Sequence, residues 1–200
     1  MKNLQNIFFA ATMLLLLWFP FNMISHTRSV LNNGTPYRFS LQPIDPYDVF
    51  RGSYVSLRYM IPLIPVSDSM YNYQDVYVTI AKGADGFAHF EQAYSQAPKD
   101  KEYIKAKVQY YTDGKIQIDA PENMSYYYLN EKTAPEVEKA MNRLVPADSV
   151  GNRAHVQIRV RKGEAVVEEL FINDLSVRDF LKKWMLTKNS LVKSVLRLKP

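Results

Sequence analysis

An apolar run from Leu4 to Ile24 restricts the fold of this chain more than any other feature. At 1.5 Å of rise per residue, about 20 helical residues span the roughly 30 Å of hydrocarbon in a bilayer. Asn6, Thr12 and Asn22 weaken the run, and Pro20 is expected to kink its far end. We therefore expect a short or tilted helix that crosses the membrane once.

Two interpretations of this segment compete. A cleaved signal peptide needs a small-residue cleavage site after its apolar centre, but residues 20–28 read PFNMISHTR and contain no such site. An uncleaved anchor is therefore favoured. Lys2 before the helix favours a cytoplasmic N-terminus, although Arg28 just beyond it makes the charge difference modest. The prediction is a single-pass membrane protein whose body lies on the extracytoplasmic, periplasmic side.

The positive charge of the chain is concentrated at its C-terminus. Residues 176–200 contain seven Lys or Arg and one acidic residue, which leaves 18 basic and 19 acidic residues in the rest. The body is thus nearly neutral, and no nucleic-acid partner is expected of it. The chain has no cysteine, and its three histidines show no metal-ligand spacing. We therefore predict neither a metal nor a cofactor.

Alternating apolar and polar residues predict a mainly antiparallel β-sheet body over residues 32–175. Asp113-Gly114 and Lys162-Gly163 are typical of tight hairpin turns. With these turns we expect one sheet of about eight to ten short strands. The clearest strand patterns are Thr35–Leu41, Asp75–Ala81, Phe87–Tyr94, Tyr103–Tyr111, Lys115–Asp119, Met124–Leu129, Ala154–Val160 and Ala165–Ile172.

Two capping patterns mark helices. Thr133 with Glu136 predicts one internal helix, and Ser176 with Asp179 opens a basic amphipathic tail. The tail has three interpretations: a closing helix of the body, then a helix on the bilayer surface, and last a nucleic-acid-binding helix, which is least favoured because an exported domain meets no nucleic acid. The predicted fold is α+β: a membrane anchor (1–31), a β-rich domain (32–175) and a C-terminal amphipathic helix (176–200).

The stretch Arg51–Ile61, RGSYVSLRYMI, carries the strongest local signal of the body. Gly52 permits a sharp turn, and from Tyr54 onward alternate residues, including Leu57 and Tyr59, share one face of a strand. Read as Gly-x-Tyr-x-x-Leu-x-Tyr, the stretch resembles the motif of the GDYXXLXY family of bacterial membrane-anchored proteins. Ser53 stands where that family has Asp.

The resemblance implies one transmembrane helix ahead of the motif domain and no established activity. It also implies a multi-pass membrane protein as partner, so we expect a binding or assembly subunit of the cell envelope. The bilayer is a second partner, through residues 4–24 and as a candidate contact of residues 176–200. The residues that the motif suggests for binding are Asp45, Arg51, Gly52, Tyr54, Leu57 and Tyr59.

A hydrolase is the alternative. Asp45, Asp48, Arg51 and Tyr54 would form its polar site if the loop before the motif folds back. The simpler interpretation is that both aspartates stabilise the turn by local hydrogen bonds and that Arg51 pairs with one of them. Because Ser53 lacks the family carboxylate, the sequence favours a structural role here, and we assign no catalytic residue.

Overall fold

The computed structural model describes residues 2–42, 54–130, 133, 134, 137, 154–172 and 174–183. All strands with assigned partners pair antiparallel, behind an N-terminal apolar helix, so the predicted α+β fold is confirmed. The elements are α1 (Lys2–Asn33), β1 (Thr35–Ser40), β2 (Tyr54–Ser56), β3 (Ile64–Pro65), β4 (Asp75–Lys82), β5 (Ala88–Tyr94), β6 (Tyr103–Thr112), β7 (Lys115–Ile118), α2 (Glu122–Ser125), β8 (Tyr126–Tyr128), β9 (Ala154–Arg161), β10 (Glu164–Ile172) and β11 (Leu175–Ser176).

Helix α1 is long and apolar enough to span a membrane. Its most apolar 18-residue window has a mean hydropathy of 2.0, and none of that window is buried against the body. Large apolar side chains from Ile7 to Ile24 are exposed around the helix. Pro20 lies inside the helix, which continues past the predicted run to Asn33. Water is a poor solvent for such a surface, and a bilayer is a good one.

The end of α1 is built into the body. Val30 is 2% exposed, and the Gly34 amide donates to the Val30 carbonyl oxygen at 2.8 Å. A Cβ added at Gly34 would lie 2.5 Å from that oxygen and 3.0 Å from the Val160 carbonyl oxygen. The chain therefore passes from α1 into β1 through one residue that has no room for a side chain.

The sheet next to α1 has the strand order β1-β9-β10-β11. Its inward residues are those that the alternation predicts, and they are buried: Tyr37, Phe39, Leu41, Val156, Ile158 and Val160. Lys162 and Gly163 have φ values of 51° and 86°, which confirms the predicted turn between β9 and β10. We call these four strands the helix-side sheet.

A second sheet, which we call the distal sheet, has the order β3-β7-β6-β4-β5. Its predicted Asp113-Gly114 turn is confirmed by φ values of 47° and 72°. An irregularity in the β6–β7 register lies between Val108 and Tyr110. Tyr110 is consequently 46% exposed, although the strict alternation placed it with the buried Ile104 and Val108.

The strands β2 and β8 form a separate two-stranded ribbon. One isolated bridge, Leu41 to Tyr59, links the segment after β2 to the end of β1, and another, Ile104 to Gly163, links the distal and helix-side sheets. All three groups of strands share one apolar core. The expectation of one sheet is therefore wrong: the described strands form three sheets around a common interior.

Two predicted strands are shorter than expected. The motif strand, predicted to reach Ile61, ends at Ser56, and the strand predicted from Met124 begins only at Tyr126. The cause is α2, which makes Glu122–Ser125 helical. A helical partner offers no ladder of backbone groups. In the described backbone the pairing continues past Ser56 by one hydrogen bond, which the Leu57 amide donates to the Ser125 carbonyl oxygen at 2.8 Å.

Both capping predictions fall partly outside the described residues. Ala134 and Val137 are helical and buried, but Glu136 and most of the predicted internal helix lie outside the described part. At the tail, the Asp179 amide donates to Ser176 Oγ at 3.2 Å, which confirms the cap. The tail helix is described over residues 177–183, and the rest of it lies outside.

Candidate functional site

The candidate site is the motif segment from Tyr54 onward, together with the chain that faces it. In the β2–β8 ribbon Tyr54 pairs with Tyr128, and Ser56 pairs with Tyr126. The Tyr54 ring stands edge-on to Tyr126, with centroids 4.8 Å apart, and to Tyr128 at 6.0 Å. These three rings cover one face of the ribbon, and Tyr128 remains 74% exposed.

The other face of the ribbon is buried. Val55 pairs with Tyr127, and they are 1% and 9% exposed. The Tyr127 hydroxyl donates to Glu169 Oε1 at 2.7 Å, and Arg178 lies 3.8 Å from the other oxygen of that carboxylate. Burial, followed by the hydrogen bond and charge of Glu169, raises the pKa of Tyr127 to about 12. Tyr127 therefore stays protonated and joins the ribbon to β10 as a hydrogen-bond donor.

Leu57 and Tyr59 extend this inward face beyond β2. Leu57 is 4% exposed. The Tyr59 hydroxyl donates to the Met124 carbonyl oxygen at 2.6 Å, and its ring lies edge-on to Phe39 at 5.9 Å. Burial raises the pKa of Tyr59. Both motif residues thus seal the junction of β1, α2 and the ribbon, and neither presents a reactive group to solvent.

A cavity of about 490 Å³ lies on the outward side of the motif segment, with Arg58, Gln117 and Asp119 among its polar lining. Gln117 Nε2 donates to the Ile61 carbonyl oxygen at 3.2 Å. Gln109 Nε2 donates to both oxygens of Asp119 at 2.7 Å. The Gln117 and Asp119 side chains are thus engaged in local hydrogen bonds, an arrangement that positions the loop and leaves these two groups little spare capacity for acid–base chemistry.

A larger groove of about 610 Å³ separates residues 19–27 of α1 from the body. We call it the juxtamembrane groove. Phe19, Met23 and His26 line it on the helix, and Glu122, Tyr126, Tyr128 and Glu164 line it on the body. His26 Nε2 hydrogen-bonds Glu164 Oε2 across its inner end. The groove therefore brings apolar, aromatic and acidic groups together beside the apolar helix α1.

The predicted site residues do not converge on one point. Tyr54 lies on the outward face of the ribbon, whereas Leu57 is buried in the core and Tyr59 is partly buried against it. Asp45, Asp48, Arg51 and Gly52 lie outside the described residues, so the polar cluster of the hydrolase alternative stays a hypothesis. Within the described part of the chain, no group of three His, Asp or Glu side chains is arranged to hold a metal ion.

Two features were missed by sequence reasoning. The Tyr127–Glu169 hydrogen bond joins residues 42 positions apart, and the juxtamembrane groove joins α1 to residues about a hundred positions later. The three consecutive tyrosines were a signal, because alternate rings of a strand must face opposite sides. No local pattern indicated which neighbours they would meet.

Comparison with known proteins gives one positive result. The family model described as GDYXXLXY protein matches residues 16–170, a range that begins inside α1 and ends in β10. No curated protein and no solved structure matches the chain.

Proposed function

The chain belongs to the GDYXXLXY family, and from this premise we propose that it is a membrane-anchored binding or assembly subunit that acts with a multi-pass membrane partner. Its body is held on the extracytoplasmic side. The function of the family is itself not established, so the proposal rests on the geometry of this chain. One observation carries it: the end of α1 is packed into the body, where Val30 is buried and Gly34 alone separates α1 from β1.

Several further contacts hold this junction together. Arg159 Nη1 donates to the Gly34 carbonyl oxygen at 3.2 Å, and Arg161 Nη1 donates to the Ser29 carbonyl oxygen at 3.3 Å. Arg159 is itself held by Glu168, with Nε 2.7 Å from Oε2. A simple tether needs only a flexible linker. A helix fixed to the sheet sets the orientation of the body relative to the bilayer, which is useful when the body must meet another membrane protein.

The membrane-spanning part of α1 also has a surface suited to another helix. Asn6 and Ala10 are four residues apart, so an amide and a small side chain share one face. Small and amide side chains favour helix association in lipid. Thr12, in contrast, satisfies its own hydroxyl by donating to the Phe8 carbonyl oxygen at 2.9 Å. We therefore place the partner on the Asn6–Ala10 face.

Photo-crosslinking in cells tests this proposal. A benzophenone amino acid is introduced at Ala10 or, as the matched control, at Phe8, which lies on the opposite side of the helix. We expect the Ala10 variant to yield a crosslinked product in which mass spectrometry identifies a protein with several membrane-spanning helices. Products of the same kind and yield from both positions, or lipid adducts alone, would contradict the assembly role.

A further inference from the structure

The juxtamembrane groove is continuous with the lipid-facing surface of α1. Phe19 and Met23 line the groove and are 75% and 66% exposed. They lie near the end of the run that ends at Ile24, about one bilayer thickness from its start. The groove therefore opens at the level where hydrocarbon gives way to lipid headgroups.

The aromatic lining of the groove fits this depth. Tyr128 is 74% exposed, and Tyr126 is held in place by its ring contact with Tyr54 at 4.8 Å. Tyrosine is enriched at membrane interfaces, because its ring suits hydrocarbon and its hydroxyl suits the headgroup layer. Exposed ring faces also attract ammonium groups.

The charge of the groove has a definite sign. Two carboxylates line it, Glu122 and Glu164, against the imidazole of His26. Glu164 is engaged by His26. Glu122 has no hydrogen-bond or ion-pair partner among the residues that the structure describes. An occupant with a positive charge is therefore favoured, and an anionic headgroup is repelled.

We propose that the juxtamembrane groove binds the ammonium-bearing headgroup of a phospholipid of the phosphatidylethanolamine type. The amine lies against Glu122 and the Tyr126 and Tyr128 rings, and the acyl chains continue along Phe19 and Met23. A lipid fits this position better than a basic protein segment, because the groove walls run without interruption into the bilayer-facing helix. This inference rests on the membrane anchoring proposed above and adds a ligand class to it.

Trp18 provides a probe of lipid selectivity in the full chain. It is 66% exposed, and it shares a helix face with Asn22, four residues later, which lines the groove. A Trp184→Phe variant leaves Trp18 as the one tryptophan of the chain. This variant is reconstituted into vesicles of equal phosphatidylethanolamine and phosphatidylglycerol, with brominated acyl chains on one lipid or on the other. Bromine quenches tryptophan only at short range.

We expect brominated phosphatidylethanolamine to quench Trp18 more strongly, with about a fivefold preference in occupancy, as one cation–π contact provides. Glu122→Gln and Tyr128→Leu should each bring the preference towards one. The matched controls, Asp100→Asn and Tyr71→Leu, alter exposed residues that do not line the groove and should retain it.

The outcomes separate the two proposals. Equal quenching by the two lipids, or equal behaviour of Glu122→Gln and Asp100→Asn, would show that the groove does not select an ammonium headgroup, even though the helix is in the bilayer. Absence of quenching by either lipid would show that α1 does not enter the bilayer, and the membrane-anchored function would then be wrong. If the Tyr128→Leu variant does not fold, the Glu122→Gln variant is sufficient to test the headgroup preference. Glu122 is an exposed side chain, so its replacement should leave the fold intact.

Discussion

Two β-hairpins of this protein have the same local turn geometry and opposite surroundings. The β6–β7 turn at Asp113-Gly114 and the β9–β10 turn at Lys162-Gly163 each place two residues at positive φ. A Cβ at Gly114 would meet nothing within 4 Å, whereas one at Gly163 would lie 2.6 Å from Tyr103 Cε2. The Gly163 carbonyl oxygen also accepts the Lys105 amide at 3.0 Å. The first turn makes its outside contact beside its own sheet, where the Gly114 carbonyl oxygen accepts the Val66 amide at 3.1 Å. The second turn joins the helix-side and distal sheets.

The largest expected effect comes from alanine at these two glycines. Gly114→Ala should cost about 1 kcal/mol of unfolding free energy, because positive φ is unfavourable for a residue with a Cβ. Gly163→Ala adds overpacking against Tyr103 and should cost about 3 kcal/mol in total. Urea denaturation of the full chain in detergent, followed by circular dichroism, measures both. Equal losses would mean that the contact between the sheets contributes little.

A smaller effect is expected from two tyrosine hydroxyls. Tyr59→Phe removes the hydrogen bond to the Met124 carbonyl oxygen and should cost about 1 kcal/mol, since it leaves a partly buried acceptor unpaired. Tyr111→Phe, at a 38% exposed position in the β6–β7 hairpin, should change stability little. Thermal unfolding of both variants and of the parent chain gives the difference in melting temperature. If Tyr59→Phe leaves the melting temperature unchanged, this motif residue does not stabilise the packing of the ribbon against β1.

The smallest expected effect is a loss of stability at lower pH that is caused by one buried histidine. His155 on β9 is 5% exposed, stacked on Phe171 at 4.8 Å and edge-on to Phe87 at 5.7 Å. Burial, and next the charge of Arg38, lower its pKa, while Asp174 opposes them. The unfolded chain therefore binds a proton more readily than the folded chain below about pH 6.5, and stability must fall as the pH drops through that value.

Unfolding midpoints at pH 7.5 and pH 5.5 test this expectation. The parent chain should be less stable at the lower pH, and His155→Phe, which keeps a ring in the stack, should reduce the difference. His89→Gln alters an exposed histidine on β5 of the distal sheet and is the control. A pH difference that His155→Phe leaves unchanged would assign the effect to other groups.

The sequence predicted the parts of the fold that depend on neighbouring residues. The predicted alternation of Tyr37, Phe39 and Leu41 is confirmed, and so is the predicted turn at Asp113-Gly114. Both predictions were correct because the faces of a strand and the shape of a tight turn follow from local backbone geometry. Strict alternation along residues 154–160 puts His155 on the face opposite Val156, Ile158 and Val160, which predicts exposure, yet His155 is buried. Phe87 and Phe171 cover that face, and neither lies near it in sequence.

The candidate site could be predicted only in part. Tyr54, Leu57 and Tyr59 were singled out from the motif. Leu57 proved to be a core residue, and Tyr59 packs against the core. Glu122 and Glu164 were not identified, because the groove they line exists only where α1, α2 and β10 meet.

The sequence by itself determined that a membrane-length helix precedes a mainly antiparallel body, because hydropathy and alternation are properties of a single segment. Only the tertiary structure decided how the helix is fixed to the body, which tyrosines face the groove and how the strands divide among three sheets. Those features depend on contacts between distant segments, and their energies are set by the packing of the whole core.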